Sequence, residues 1–77
     1  MQIKKSISLS GHKTSIALEE EFWKELQIIA KDYNLSIPQL ITKIDAKRDV
    51  QSPLASSIRV YILSNMRERL DKRKNKT

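Results

Sequence analysis

From His12 to Leu18 the chain alternates. Thr14, Ile16 and Leu18 fall on one side of an extended strand, and Lys13, Ser15 and Ala17 fall on the other. The first set is apolar enough to bury, while the second carries small or cationic groups suited to lie against a nucleic acid. At Glu19-Glu20-Glu21 the period changes, because acids in a first helical turn interact favourably with the helix dipole. Phe22, Leu26, Ile29 and Ala30 then recur at helical spacing with Trp23 and Tyr33 beside them, and Lys24, Glu25, Lys31 and Asp32 take the exposed face. Asn34 suits the left-handed residue that closes a helix. Ser36-Ile37-Pro38-Gln39 fits a capping box that opens a second helix, whose stripe of Ile37, Leu40, Ile41 and Ile44 fades near Lys47 or Arg48. Asp49-Val50-Gln51 reads as linker. Ser52-Pro53 then starts a third helix, which buries Leu54, Ile58, Tyr61, Ile62 and Met66. Arg59 and Lys47 are both candidate partners for Asp45.

The first ten residues alternate only weakly. Ile3, Ile7 and Leu9 share one parity and Lys4, Ser6 and Ser8 the other, but Lys5 interrupts the apolar side. A second short strand, an ordered arm and a flexible tail all fit, and Gly11, the only glycine, permits a turn after it. The preferred expectation is a basic N-terminal arm over residues 1–11 that orders on DNA. Residues 12–66 form the folded domain, and residues 67–77 form a basic tail with too little apolar content to fold. No internal repeat stands out. The pattern therefore predicts a mainly α fold with one short β-strand. Such a strand cannot leave its N–H and C=O groups unpaired beneath a helical layer, so its expected partner is its own copy in a second chain.

Seventy-seven residues without cysteine bury a marginal core and have neither a disulfide nor a thiolate site to reinforce it, which again favours a homodimer. No apolar run reaches the length of a membrane span, so a cytoplasmic protein without a membrane partner is expected. The net charge of +6 is unevenly spread. Residues 1–13 carry +3, residues 14–50 carry −2 and residues 51–77 carry +5. Basic ends around a near-neutral body suggest contact with a polyanion.

A strand with one apolar face followed by two helices and a short turn resembles the ribbon-helix-helix DNA-binding fold. The closer resemblance is to a branch of short bacterial members. It rests on Gly11 to Glu19 with Phe22-Trp23, then Leu35-Ser36, Leu40-Ile41 and Ile44-Asp45, and finally Leu54 to Leu63. It implies a homodimer whose two strands pair antiparallel into an intermolecular ribbon, with a third C-terminal helix added. By that resemblance Lys13, Ser15 and Ala17 face base edges in the major groove of double-stranded DNA, and Ser36 and Ile37 sit over a phosphate. The branch usually has arginine in place of Lys13 and a polar or basic residue in place of Ala17. Lysine lacks the bidentate fork that best reads guanine, and Pro38 removes an amide from the phosphate clamp.

Lys4, Lys5 and His12 are further candidates for phosphate contact. Ile16, Leu18, Phe22, Trp23, Leu26, Ile41, Ile44 and Ile58 are the expected dimer core. His12 has no second His or Cys with which to hold a metal, and no cofactor is expected. One glycine makes no phosphate loop and no nucleophile–base–acid set is visible, so the chain does not read as an enzyme. The leading expectation is a dimeric transcriptional regulator. Two alternatives stand beside it: a protein-interaction module, antitoxin-like or an adaptor, using the third helix or the basic tail, and non-specific coating of nucleic acid.

Overall fold

The computed structural model describes residues 1–74. Strands β1 (Gln2–Leu9) and β2 (His12–Glu19) are followed by helices α1 (Glu20–Asp32), α2 (Ile37–Ala46) and α3 (Leu54–Lys74). The strands pair antiparallel in one hairpin, with Leu9 opposite His12 and Ser6 opposite Ser15. Only Ser10 and Gly11 join them, and both have positive φ, 49° and 85°. That is the backbone of a type I′ turn, whose twist matches the flanking strands.

The expectation of a single strand is thus corrected: residues 2–9, expected as part of an arm over 1–11, are a first strand that pairs with β2 inside the chain. Lys5, which interrupts the apolar parity, does not break the strand. Its Nζ lies 5.0 Å from the centroid of the Trp23 ring, so the chain keeps its extended path while the charge rests on an aromatic face. The buried Trp23 indole N–H donates to the Ile3 carbonyl at 2.8 Å. That bond supplies a partner to β1 from the helical body.

Each helix boundary has a local cause. At the end of α1, Asn34 adopts φ 57°. The Leu35 N–H donates to the Ala30 carbonyl at 2.8 Å and the Asn34 N–H to the Lys31 carbonyl at 3.1 Å, the paired bonds of a Schellman motif. Ser36 opens α2 with the full capping box. The Gln39 N–H donates to Ser36 Oγ at 3.2 Å, and the Ser36 N–H donates to Gln39 Oε1 at 2.8 Å. In the linker, Arg48 holds Asp45 Oδ1 at 2.8 Å and the Ser52 carbonyl at 2.7 Å. Asp45 therefore pairs with Arg48 rather than with Arg59 or Lys47. The Ser57 N–H donates to the Pro53 carbonyl at 3.1 Å, and α3 starts at Leu54.

The core gathers Leu9, Ile16 and Leu18 from the hairpin, Trp23, Leu26, Ile29 and Ala30 from α1, Leu40, Ile41 and Ile44 from α2, and Ile58 and Ile62 from α3. Phe22 is half-buried against it. Of the stripe expected to be buried on α3, Ile58 and Ile62 are enclosed, Leu54 and Tyr61 are half-buried, and Met66 is exposed. Beyond Met66 the helix continues to Lys74 where a tail over 67–77 is expected; Asn75, Lys76 and Thr77 lie outside the described residues. Arginine, glutamate, leucine and lysine are strong helix formers, and a helix already nucleated by packing propagates through them at little cost. Among the described residues no helix is long and apolar enough to cross a membrane.

Candidate nucleic-acid interface

Side chains directly opposite in an antiparallel pair share a face of the sheet. The register therefore puts Ile3 with Leu18, Lys5 with Ile16, Ile7 with Thr14 and Leu9 with His12 on the face toward the helices. The other face carries Gln2 with Glu19, Lys4 with Ala17, Ser6 with Ser15 and Ser8 with Lys13. Burial follows this division: Ile16, Leu18 and Leu9 are enclosed, whereas Lys4, Ser6, Ser8, Lys13 and Ser15 are exposed and Ala17 is half-buried. Lys13, Ser15 and Ala17 thus stand together on the outward face, and β1 adds a lysine and two serines beside them.

The remaining candidates are dispersed. Lys5 points to the helical side and lies over Trp23, and His12 is exposed beside the turn. Ser36 and Ile37 open α2, and a shallow groove of about 370 Å³ runs between Ser8 and Pro38, Gln39, Thr42 and Lys43. The capping box occupies the Ser36 and Gln39 amides and Pro38 has none, which leaves the Ile37 N–H as the unpartnered donor of that first turn among the described residues. Anion binding at a helix start relies on such free amides, and here they are few.

One carboxylate lies at the end of the outward face, and it is neutralised. Glu19 Oε1 accepts from Arg59 Nη2 at 2.9 Å and from Nε at 3.1 Å, and Glu19 Oε2 accepts from Gln2 Nε2 at 3.2 Å. A backbone hydrogen bond at Glu19 itself, then those from Arg59 and Gln2, lower its pKa from 4.5 to about 2. Arg59 also stacks over Phe22, 5.6 Å from the ring centroid. The acid thereby ties the end of the ribbon to α3 instead of opposing an incoming phosphate.

A family model described as a ribbon-helix-helix domain matches residues 2–66, which include the hairpin, α1, α2 and the packed half of α3. The chain belongs to the ribbon-helix-helix family. Domains of this family generally bind DNA as transcriptional regulators and typically do so as dimers. No curated protein and no solved structure matches the chain.

Within this ribbon-helix-helix domain, the sequence reading missed three participants: Ser6 and Ser8 on the outward face, and Arg59 as the partner of Glu19. The parity of Lys4, Ser6 and Ser8 was itself a signal for the first two. The Arg59 contact spans 40 residues, and no local pattern carries it.

Proposed function

We propose that this ribbon-helix-helix protein is a sequence-selective, dimeric transcriptional regulator that lays the outward face of its hairpin in the major groove of double-stranded DNA. One observation supports this reading above the others: the exposed face of the ribbon presents cations and small polar groups, and its one acid is held by Arg59. A two-stranded ribbon fits the major groove, where a lysine can donate to guanine O6 and N7 and a serine to several bases. Ala17 can meet a thymine methyl. At the start of α2 the Ile37 N–H remains as a donor for a flanking phosphate, while Lys5 stays over Trp23 on the opposite face of the ribbon. The test is selection from a random duplex pool, followed by affinity measurements with Lys13→Ala. The substitution should weaken binding to the selected duplex by about tenfold and leave random duplex less affected. Unchanged affinity on every sequence would refute groove reading by this face.

The homodimer has a surface available to it. Val60, Leu63, Met66 and Leu70 form an exposed apolar ridge on α3, next to a groove of about 820 Å³ lined by Tyr33, Leu35, Leu40, Ile44 and Tyr61. The same ridge supports a second reading, docking of a different protein. Sedimentation separates the two: a concentration-dependent dimer that Leu63→Lys disrupts supports self-association, and a persistent monomer leaves the ridge to another partner.

A further inference from the structure

Lys43 lies in the last turn of α2 and Lys47 caps its C-terminus, one helical turn further on. Both are exposed, and neither has a carboxylate partner among the described residues. Asp45, between them in the chain, is taken by Arg48 at 2.8 Å. The negative end of the helix dipole favours one cation there. A second cation one turn away repels the first, and an anion seated between them satisfies both. The two lysines border the groove of about 820 Å³ that α2 and α3 share. Leu40 and Ile44 line it from α2, Val60 and Tyr61 from α3, and Tyr33 and Leu35 from the connection after α1. Val60 is 62% exposed and Tyr33 54%, so apolar surface meets water along its lip. Ser56 and Ser57 add hydroxyls from the start of α3, whose first turn holds no acid. A helix start is electropositive. Asp49 is the one acid in the lining, against Lys43, Lys47 and Arg48.

A groove of this volume encloses a small organic molecule, and apolar walls with a few convergent polar groups are what such sites present. Charge selects among the occupants. A second copy of the chain, docked here about a twofold axis, would set one cationic patch against its own copy. A neutral apolar molecule would leave both lysines without a counter-charge, and a cation would be repelled. We infer that this groove binds a small amphipathic carboxylate, an alkyl or aryl acid. Its tail lies on Leu40, Ile44, Val60 and Tyr61, and its head lies between Lys43 and Lys47. The site is separate from the ribbon's outward face and does not depend on DNA binding.

Decanoate is the probe, titrated below its micellar concentration into the isotope-labelled chain without DNA. Saturable binding should move the amides from Leu40 to Lys47 and from Ser56 to Tyr61. Decylammonium has the same tail and the opposite charge, and should bind at least about tenfold more weakly. The double variant Lys43→Gln/Lys47→Gln changes only exposed side chains, so it keeps the fold, and it should weaken decanoate by about tenfold. Equal affinity for the two probes, an unaffected double variant, or no saturation in the millimolar range would each overturn the site. Shifts of the same amides with protein concentration alone would mean that a second copy covers the groove, and would overturn it too. So would decanoate shifts centred on Leu63 to Leu70, which would put the tail on the exposed ridge of α3. None of these results bears on selection from the random duplex pool, so a failure here and a failure of DNA reading are told apart.

Discussion

Trp23→Phe tests how the hairpin is fastened to the helices. The indole N–H is the donor to the Ile3 carbonyl at 2.8 Å, its ring carries the Lys5 ammonium at 5.0 Å, and the side chain is 2% exposed. Phenylalanine keeps an aromatic face but removes the donor and one ring. Loss of the hydrogen bond costs about 0.5–1.5 kcal/mol, and the vacated volume in a packed core adds about 1.5 kcal/mol, for a total of roughly 2–3 kcal/mol. In a domain of this size that lowers Tm by roughly 10–20 °C. Thermal unfolding by circular dichroism gives the total, and amide hydrogen exchange gives its location: protection should fall most in Gln2 to Leu9. A Lys5→Ala control should cost about 0.5–1 kcal/mol, since only the ring contact is lost. A loss under about 0.5 kcal/mol for Trp23→Phe, with unchanged exchange in β1, would mean that β1 is not held by this tryptophan.

The carboxylate of Glu19 has a folded-state pKa of about 2 against an ordinary 4.5. A depressed carboxylate stabilises the fold above its unfolded pKa, and that stabilisation is lost as pH falls through the folded value. Urea midpoints should therefore decline between about pH 4.5 and 2, and Glu19→Gln should flatten that decline; an identical acid limb in the variant would contradict the Arg59 and Gln2 contacts. At the turn, a Cβ on Gly11 meets nothing within 4 Å, but φ is 85°. Gly11→Ala should thus destabilise by about 1 kcal/mol through backbone strain alone, and Gly11→Asn by less, because asparagine tolerates positive φ. Equal costs measured by chemical denaturation would argue against the type I′ turn.

Much of this architecture is written locally. The Ser36–Gln39 capping box, the left-handed Asn34 and the apolar stripes of α1 and α2 depend on residues within four positions of each other, and the chain's order shows them directly. The alternation of β2 likewise assigns Lys13 and Ser15 to the exposed face. The first strand was obscured because Lys5 stands where an apolar residue would complete the pattern. What makes lysine acceptable there is Trp23, eighteen residues on in the chain and folded back over it. The length of α3 was obscured for the opposite reason. Residues 67–72 bury little, and their helix extends one nucleated by Ile58 and Ile62 rather than arising from a stripe of their own. Asp45 had several cations within reach, and the linker's path selected Arg48 by offering it the Ser52 carbonyl as well.

Backbone amide shifts of isotope-labelled protein, titrated with the selected duplex, show whether one outward face, drawn from both strands of the hairpin, contacts DNA. The largest changes should fall together at Lys4 to Ser8 and Lys13 to Ala17, with smaller ones at Ser36 and Ile37, while the exposed amides of α3 from Leu63 to Lys72 stay in place. Changes confined to α3, with both strands unmoved, would rule that face out.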